Sequence, residues 1–99
     1  MKVVYKEPGK SAEIIAAEEG LDVLQHLVSG WIECIPFIEG VCIVVNEEGK
    51  LKGMTPNFNY GWDVIVGPAV FIGDDGEDFS SIPDDKIEKV MEFLQYHAI

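Results

Sequence analysis

The stretch V-C-I-V-V, residues 41–45, is apolar at all of its positions. A strand with one solvated face alternates apolar and polar residues, whereas a strand that is buried on both faces is apolar throughout. Residues 41–45 therefore predict a buried strand at the centre of a sheet. The other predicted elements are arranged around this strand.

Further strands are predicted on both sides of this segment by runs of β-branched and aromatic residues. They cover residues 2–6, 13–18, 31–37 and 63–72, with a short return arm at 51–54 after a hairpin turn at 46–50. Proline cannot donate a hydrogen bond to a neighbouring strand. We therefore expect Pro36 at an edge or a bulge of the sheet, and a bulge or kink at Gly67-Pro68.

Two amphipathic helices complete the predicted fold. The apolar residues of the first are Leu21, Leu24, Leu27 and Val28, and those of the second are Ile87, Val90, Met91 and Leu94. Gly30 is suited to the left-handed end of the first helix, and Pro83 to the first turn of the second. The economical packing is a mostly antiparallel sheet of about five strands with both helices on one face. We predict a single α+β domain that spans residues 1–99.

The charge of the chain restricts its partners. It contains 18 acidic residues and seven lysines, and its formal net charge is −11. Such an excess of carboxylates disfavours direct binding to nucleic acid and to anionic membranes, and it favours a basic protein partner. The sequence has no apolar run long enough to span a membrane and no signal-peptide core near its start. We therefore expect a cytoplasmic protein.

Patterns typical of enzymes and metal sites are absent from the sequence. Cys34 and Cys42 flank a predicted hairpin turn, where they would be diagonal neighbours on one sheet face, too far apart for an unstrained disulfide. We interpret both as reduced core residues. Together with His26 and His97 they lack the spacing of zinc ligands. We expect no enzyme activity, no catalytic residue, no cofactor and no metal site.

Acidic residues are densest between positions 73 and 92, where they outnumber Lys86 and Lys89. Closely spaced carboxylates can imitate a phosphate backbone and occupy a nucleic-acid-binding groove. The alternatives are a solvated turn that leads into a helix, and a calcium site, although the EF-hand pattern does not fit. The predicted partner surface consists of Asp74, Asp75, Glu77, Asp78, Asp84, Asp85 and Glu88.

A second candidate region is T-P-N-F-N-Y-G-W, residues 55–62, which we predict as a loop. In a strand-like alternation Phe58, Tyr60 and Trp62 point the same way. These rings form either a lid on a small core or an open platform for a planar ligand such as a nucleotide. The residues predicted for ligand binding are Lys50, Lys52, Asn57, Asn59, Tyr60 and Trp62.

Several stretches along the chain carry a family resemblance. They are residues 5–10, 30–33, 46–51, 53, 56–57, 63–67 and 73–79. Together and in this order they resemble the family called domain of unknown function 3846. The resemblance implies a small protein encoded by phages, plasmids or Firmicutes genomes. It suggests a role against host defence. No biochemical activity is known for the family, so the resemblance implies none. In this family Pro-Asn is often followed by Arg, whereas this chain has Phe58.

The leading hypothesis is a non-catalytic interaction protein that acts through its acidic surface on a protein partner. The alternative is a small-ligand-binding protein that uses residues 50–62. Exposed sheet edges would also allow the protein to form oligomers.

Overall fold

The strand predicted at residues 41–45 is present in a computed structural model that describes all 99 residues. It spans Val41–Asn46 and is buried at every position. Neighbouring strands pair with it antiparallel on both sides, at Ile32–Ile38 and Ala69–Asp74. The core of the protein is therefore built on both faces of this strand.

The chain forms eight strands and two helices. The strands are β1 (Lys2–Lys6), β2 (Glu13–Ala16), β3 (Ile32–Ile38), β4 (Val41–Asn46), β5 (Pro56–Tyr60), β6 (Asp63–Val66), β7 (Ala69–Asp74) and β8 (Phe79–Ser80). The helices are α1 (Leu21–Val28) and α2 (Asp84–His97). The large sheet has the order β2-β1-β7-β4-β3, with β8 added beside β7, and β5 and β6 form a separate sheet. All pairs are antiparallel, so the predicted α+β fold is confirmed.

The two faces of the large sheet carry different cores. Val41, Ile43 and Val45 face a core that contains residues of α2 and of the β5–β6 hairpin. Cys42 and Val44 face a second core that contains residues of α1. The helices thus lie on opposite faces, which corrects the prediction of both helices on one face. The physical reason is that a strand with two apolar faces must be covered on both of them.

The segment predicted as one strand at 63–72 is divided between the two sheets. β6 ends at Val66 in the small sheet, and β7 begins at Ala69 in the large one. Between them, Gly67 has a φ of 75°, and a Cβ there would lie 2.6 Å from the sulfur of Met54. The chain therefore changes sheets at the predicted kink, where only glycine fits.

Two further expectations about this part of the chain are wrong. Residues 47–53 form consecutive turns without a return strand, and residues 56–60, predicted as part of a loop, form β5. A bulge between Pro56 and Phe58 lets Asn57 and Phe58 both be buried, so strict alternation fails here. Pro36 lies, as predicted, on an edge strand next to a register shift.

The helix ends follow from local contacts. Ser29, with a φ of 65°, takes the left-handed position that we assigned to Gly30. Gly30 is needed for a different reason, because a Cβ there would lie 2.7 Å from Nδ2 of Asn46. Pro83 precedes α2 as its N-terminal cap residue. Neither helix combines the length and apolarity needed to cross a membrane.

A buried polar network joins the two sheets. The side chain of Asn57 is fully buried, and its Nδ2 donates to the carbonyl oxygens of Lys6 and Gly67, both at 2.8 Å. Its Oδ1 accepts from Nζ of Lys6 at 2.9 Å. Because a buried polar group that lacks a partner is costly, this network fixes β5 beside the end of β1.

We expect Asn57→Ala to lower the free energy of unfolding by about 2–4 kcal/mol, because three buried polar groups each lose one hydrogen bond. Urea unfolding followed by circular dichroism measures the change. Asn59→Ala is the matched control, since Asn59 lies on the same strand but is exposed, and its effect should stay within about 0.5 kcal/mol. Equal stabilities of the two variants would contradict the structural role of Asn57.

Candidate functional site

The strand register sorts the charged side chains to two ends of the large sheet. Lys2 pairs with Ala16 and Lys6 with Ala69, so β1 begins where β2 and β7 finish. Both helices begin at this same end, because α1 follows β2 and α2 follows β8, which pairs with the last residues of β7. We call it the acidic end, and we call the opposite end, where β1 and β4 finish, the lysine end.

Carboxylates from four segments meet at the acidic end. The segments are the start of α1, the β3–β4 turn, the turn after β7 and the first turns of α2. Their acidic residues are Glu18, Glu19, Asp22, Glu39, Asp74, Asp75, Glu77, Asp78, Asp84, Asp85 and Glu88, all of them exposed except Asp74, which is half-buried. Glu19 and Asp78 line one surface cleft, and the N–H of Asp74 donates to the carbonyl oxygen of Gly40 at 3.0 Å. The acidic surface therefore includes carboxylates from outside residues 74–88, the segment in which it was predicted.

The acidic turn after β7 is held by its own carboxylates. Oδ1 of Asp75 accepts the N–H groups of Asp78 and Glu77, each at 2.9 Å, and these bonds lower the pKa of Asp75. Oδ1 of Asp74 accepts the N–H of Gly76 at 2.9 Å. The side chains of Glu77 and Asp78 make no hydrogen bond and no ion pair within the chain. They are therefore free to contact a partner.

Little of the negative charge at the acidic end is compensated. The four ion pairs of the protein are Lys2–Asp84, Lys10–Glu7, Lys50–Asp63 and Lys52–Glu48. Only the first of them lies at the acidic end, with 2.9 Å between Nζ of Lys2 and Oδ1 of Asp84. The acidic end therefore presents mostly unpaired carboxylates to solvent.

The lysines predicted to serve a ligand are paired with carboxylates. Lys50 donates to Asp63, which lowers the pKa of that carboxyl, and Nζ of Lys52 lies 3.8 Å from Glu48. A cleft of about 260 Å³ lies beside Lys50, lined also by Glu33, the end of β4 and all of β6. None of the other residues predicted for the ligand lines this cleft.

The aromatic residues of β5 and its turn lie in three different environments. Phe58 is fully buried and packs edge-to-face against Phe93, with 5.8 Å between the ring centroids. Tyr60 is half-buried, and its hydroxyl donates to the carbonyl oxygen of Pro36 at 2.6 Å. Trp62 is fully exposed in the β5–β6 turn. The first two thus cover the core, only Trp62 is open to a partner, and the buried Asn57 has no donor left for a ligand.

A larger cleft at the lysine end was not predicted from the sequence. It has a volume of about 440 Å³ and is lined by the β1–β2 turn, the end of α2 and Lys6. Lys6 is only 3% exposed, and its Nζ donates to the carbonyl oxygen of Glu7 and to Asn57, both at 2.9 Å. No carboxylate pairs with this ammonium, and burial lowers the pKa of Lys6. An isolated lysine in a strand gives no sequence signal for such burial.

The two cysteines occupy the predicted diagonal positions. Cys34 pairs with Val44, and Cys42 pairs with Pro36. Cys42 is buried, and this burial raises the pKa of its thiol, whereas Cys34 is exposed and not a core residue as predicted. Sγ of Cys34 lies 3.9 Å from Oδ2 of Asp74. The two cysteines form no disulfide, and they share a corner of the sheet with a carboxylate.

Comparisons with known proteins agree with the resemblance found in the sequence. A family model described as Domain of unknown function (DUF3846) matches residues 1–95. No curated protein and no solved structure matches the chain.

Proposed function

The chain belongs to the family described as Domain of unknown function (DUF3846), and we propose that it is a non-catalytic interaction protein whose acidic end binds a basic surface of a protein partner. One observation carries the proposal. Carboxylates from four separate segments meet at one end of the sheet, where Lys2–Asp84 is the single ion pair. As the family resemblance implies, the proposal includes a phage or other mobile-element origin and a role against host defence. It also includes action in the cytoplasm, which is the expectation from the sequence.

The partner that fits this surface is a protein with a nucleic-acid-binding groove. Double-stranded DNA carries one negative charge per ~1.7 Å of its axis, and proteins bind it with clustered lysine and arginine side chains. The unpaired carboxylates of the acidic end can occupy such a cluster without first breaking an internal ion pair. Complementary charge also accelerates encounter, so the surface favours rapid binding at low salt.

To test the acidic end, three of its unpaired carboxylates are neutralised together in the variant Glu77→Gln/Asp78→Asn/Glu88→Gln. Purified DNA-binding enzymes, restriction endonucleases included, serve as probes. We expect binding that DNA competes for and that weakens as salt rises from about 50 mM to about 500 mM. The variant should bind about tenfold more weakly or worse, since a tenfold change corresponds to about 1.4 kcal/mol.

The matched control is Glu13→Gln/Glu33→Gln/Glu47→Gln, which removes the same charge from exposed positions away from the acidic end. Its affinity should stay within about twofold of the parent protein, because exposed charges beyond a Debye length are screened. Equal losses in both variants would show that net charge alone drives binding. Binding that salt does not weaken would also contradict the proposal.

A second candidate function, the binding of a small anion, is supported by the cleft beside Lys6. An ammonium group has three donors, and Lys6 gives two of them to neutral oxygens. A buried charge without a counter-charge is unfavourable, so an anionic group in the cleft would supply the missing partner. The volume of about 440 Å³ lies in the range of small-molecule sites. This cleft is better supported than residues 50–62, where the lysines are already paired.

Thermal unfolding with inorganic phosphate and with nucleoside monophosphates tests the second candidate. A ligand that binds only the folded protein raises Tm in proportion to the logarithm of its concentration. We expect Lys10→Met, at the mouth of the cleft, to reduce this rise. Lys50→Met is the control, because Lys50 is also exposed and paired with one carboxylate but lies outside the cleft. If none of these anions raises Tm of the parent protein, the cleft is not an anion site.

A further inference from the structure

Three metal-binding side chains meet at the corner of the sheet where β3, β4 and β7 run side by side. The Sγ atoms of Cys34 and Cys42 and a carboxylate oxygen of Asp74 all lie within 4.8 Å of one another. We propose that these three residues form a binding site for a divalent metal ion of the zinc class. The site lies at the acidic end, and it goes beyond the proposed interaction function.

The strand ladders hold the three residues in place. Cys42 lies on β4 between the other two strands, pairs with Pro36 on one side and pairs with Ile72 on the other. Cys34 lies two residues before Pro36, opposite Val44, and Asp74 lies two residues after Ile72, so all three side chains point to the same face. Backbone pairing therefore places the three side chains on one face, and their ligand atoms reach towards one another from either side of Cys42.

The distances suit a metal ion better than a disulfide. Zinc binds sulfur at ~2.3 Å and carboxylate oxygen at ~2.0–2.2 Å, so tetrahedral ligand atoms lie about 3.5–3.8 Å apart. The sulfur of Cys34 is 3.9 Å from Oδ2 of Asp74, and no pair in the cluster exceeds 4.8 Å. A disulfide requires sulfur atoms ~2.05 Å apart, and diagonal strand positions are generally too distant for it.

The chemistry of the three ligands selects the metal. Two thiolates favour zinc and similar borderline or soft ions over magnesium and calcium, which prefer oxygen ligands. The two thiols lose their protons when the ion binds, and the dication offsets the repulsion between the resulting thiolates and the carboxylate. Cys34 is exposed, so a fourth coordination position is open to solvent. Three protein ligands with one open position are found in zinc sites that keep a bound water.

Cobalt titration of the reduced, chelator-treated protein tests the site. Co²⁺ bound by thiolates gives sulfur-to-metal absorption in the near ultraviolet, and we expect it to saturate at one ion per chain and to disappear when Zn²⁺ is added. Cys34→Ser and Asp74→Asn should each weaken binding, and Cys34→Ser by at least about 100-fold, since even changes to residues that only orient metal ligands cost 10–100-fold. Zn²⁺ should also slow alkylation of Cys34 in the parent protein.

Glu39→Gln and Glu77→Gln are the controls, because both residues are exposed carboxylates near the site that do not belong to the cluster. Both should bind Co²⁺ with affinities within about twofold of the parent.

Cys34 is exposed, so its replacement does not disturb the core, whereas Cys42→Ser introduces a hydroxyl into a buried position. Absence of the sulfur-to-cobalt band in the parent protein would overturn the proposal. An unchanged affinity in Cys34→Ser would overturn it too, by showing that carboxylates alone bind the ion.

Discussion

The fold depends on a sheet that must be covered on both faces. β4 is buried at every position, and alternate residues of β1, β4 and β7 enter two different cores. Each face therefore needs a helix, and the β5–β6 hairpin shares one face with α2. Because both helices begin at the same end of the sheet, their first turns lie at that end, one on each face. The gathering of carboxylates at the acidic end is a consequence of this packing.

Helix electrostatics explain part of the acidic end, but not all of it. Carboxylates in the first turn of a helix stabilise it by ~0.3–1 kcal/mol each, which accounts for Asp22, Asp84 and Asp85. Asp75 is explained by its hydrogen bonds to the turn. Glu39, Glu77 and Asp78 belong to no helix, and their side chains have no bonding partner in the chain. These carboxylates have no structural role within the chain, and they therefore support the proposed binding of a partner.

The sequence predicts the elements whose signal is local. The continuous apolar run predicts β4, the apolar stripe predicts α2 with Val90 and Leu94 buried, and the hairpin register predicts the diagonal position of Cys34 and Cys42. Periodicity does not reveal which face of the sheet a helix covers. The bulge in β5 breaks the alternation, which predicts that Asn57 faces away from Phe58, and so Asn57 is buried beside it. The remaining features depend on long-range pairing. Asp74 approaches Cys34 only because β7 lies beside β4, and Lys6 is buried only because β5 closes over it.

The metal site and the acidic surface can operate independently, although they share one end of the protein. An ordinary cysteine is largely protonated at neutral pH, and it binds a metal as the thiolate. Two thiols thus release two protons when a dication arrives, so the net charge of the acidic end is unchanged. Asp74 belongs to both sites, and the other carboxylates that would contact a basic partner keep their charge whether or not the metal is bound. The salt dependence of partner binding therefore reports on the acidic end alone, and sulfur-to-cobalt absorption reports on the cysteine site alone.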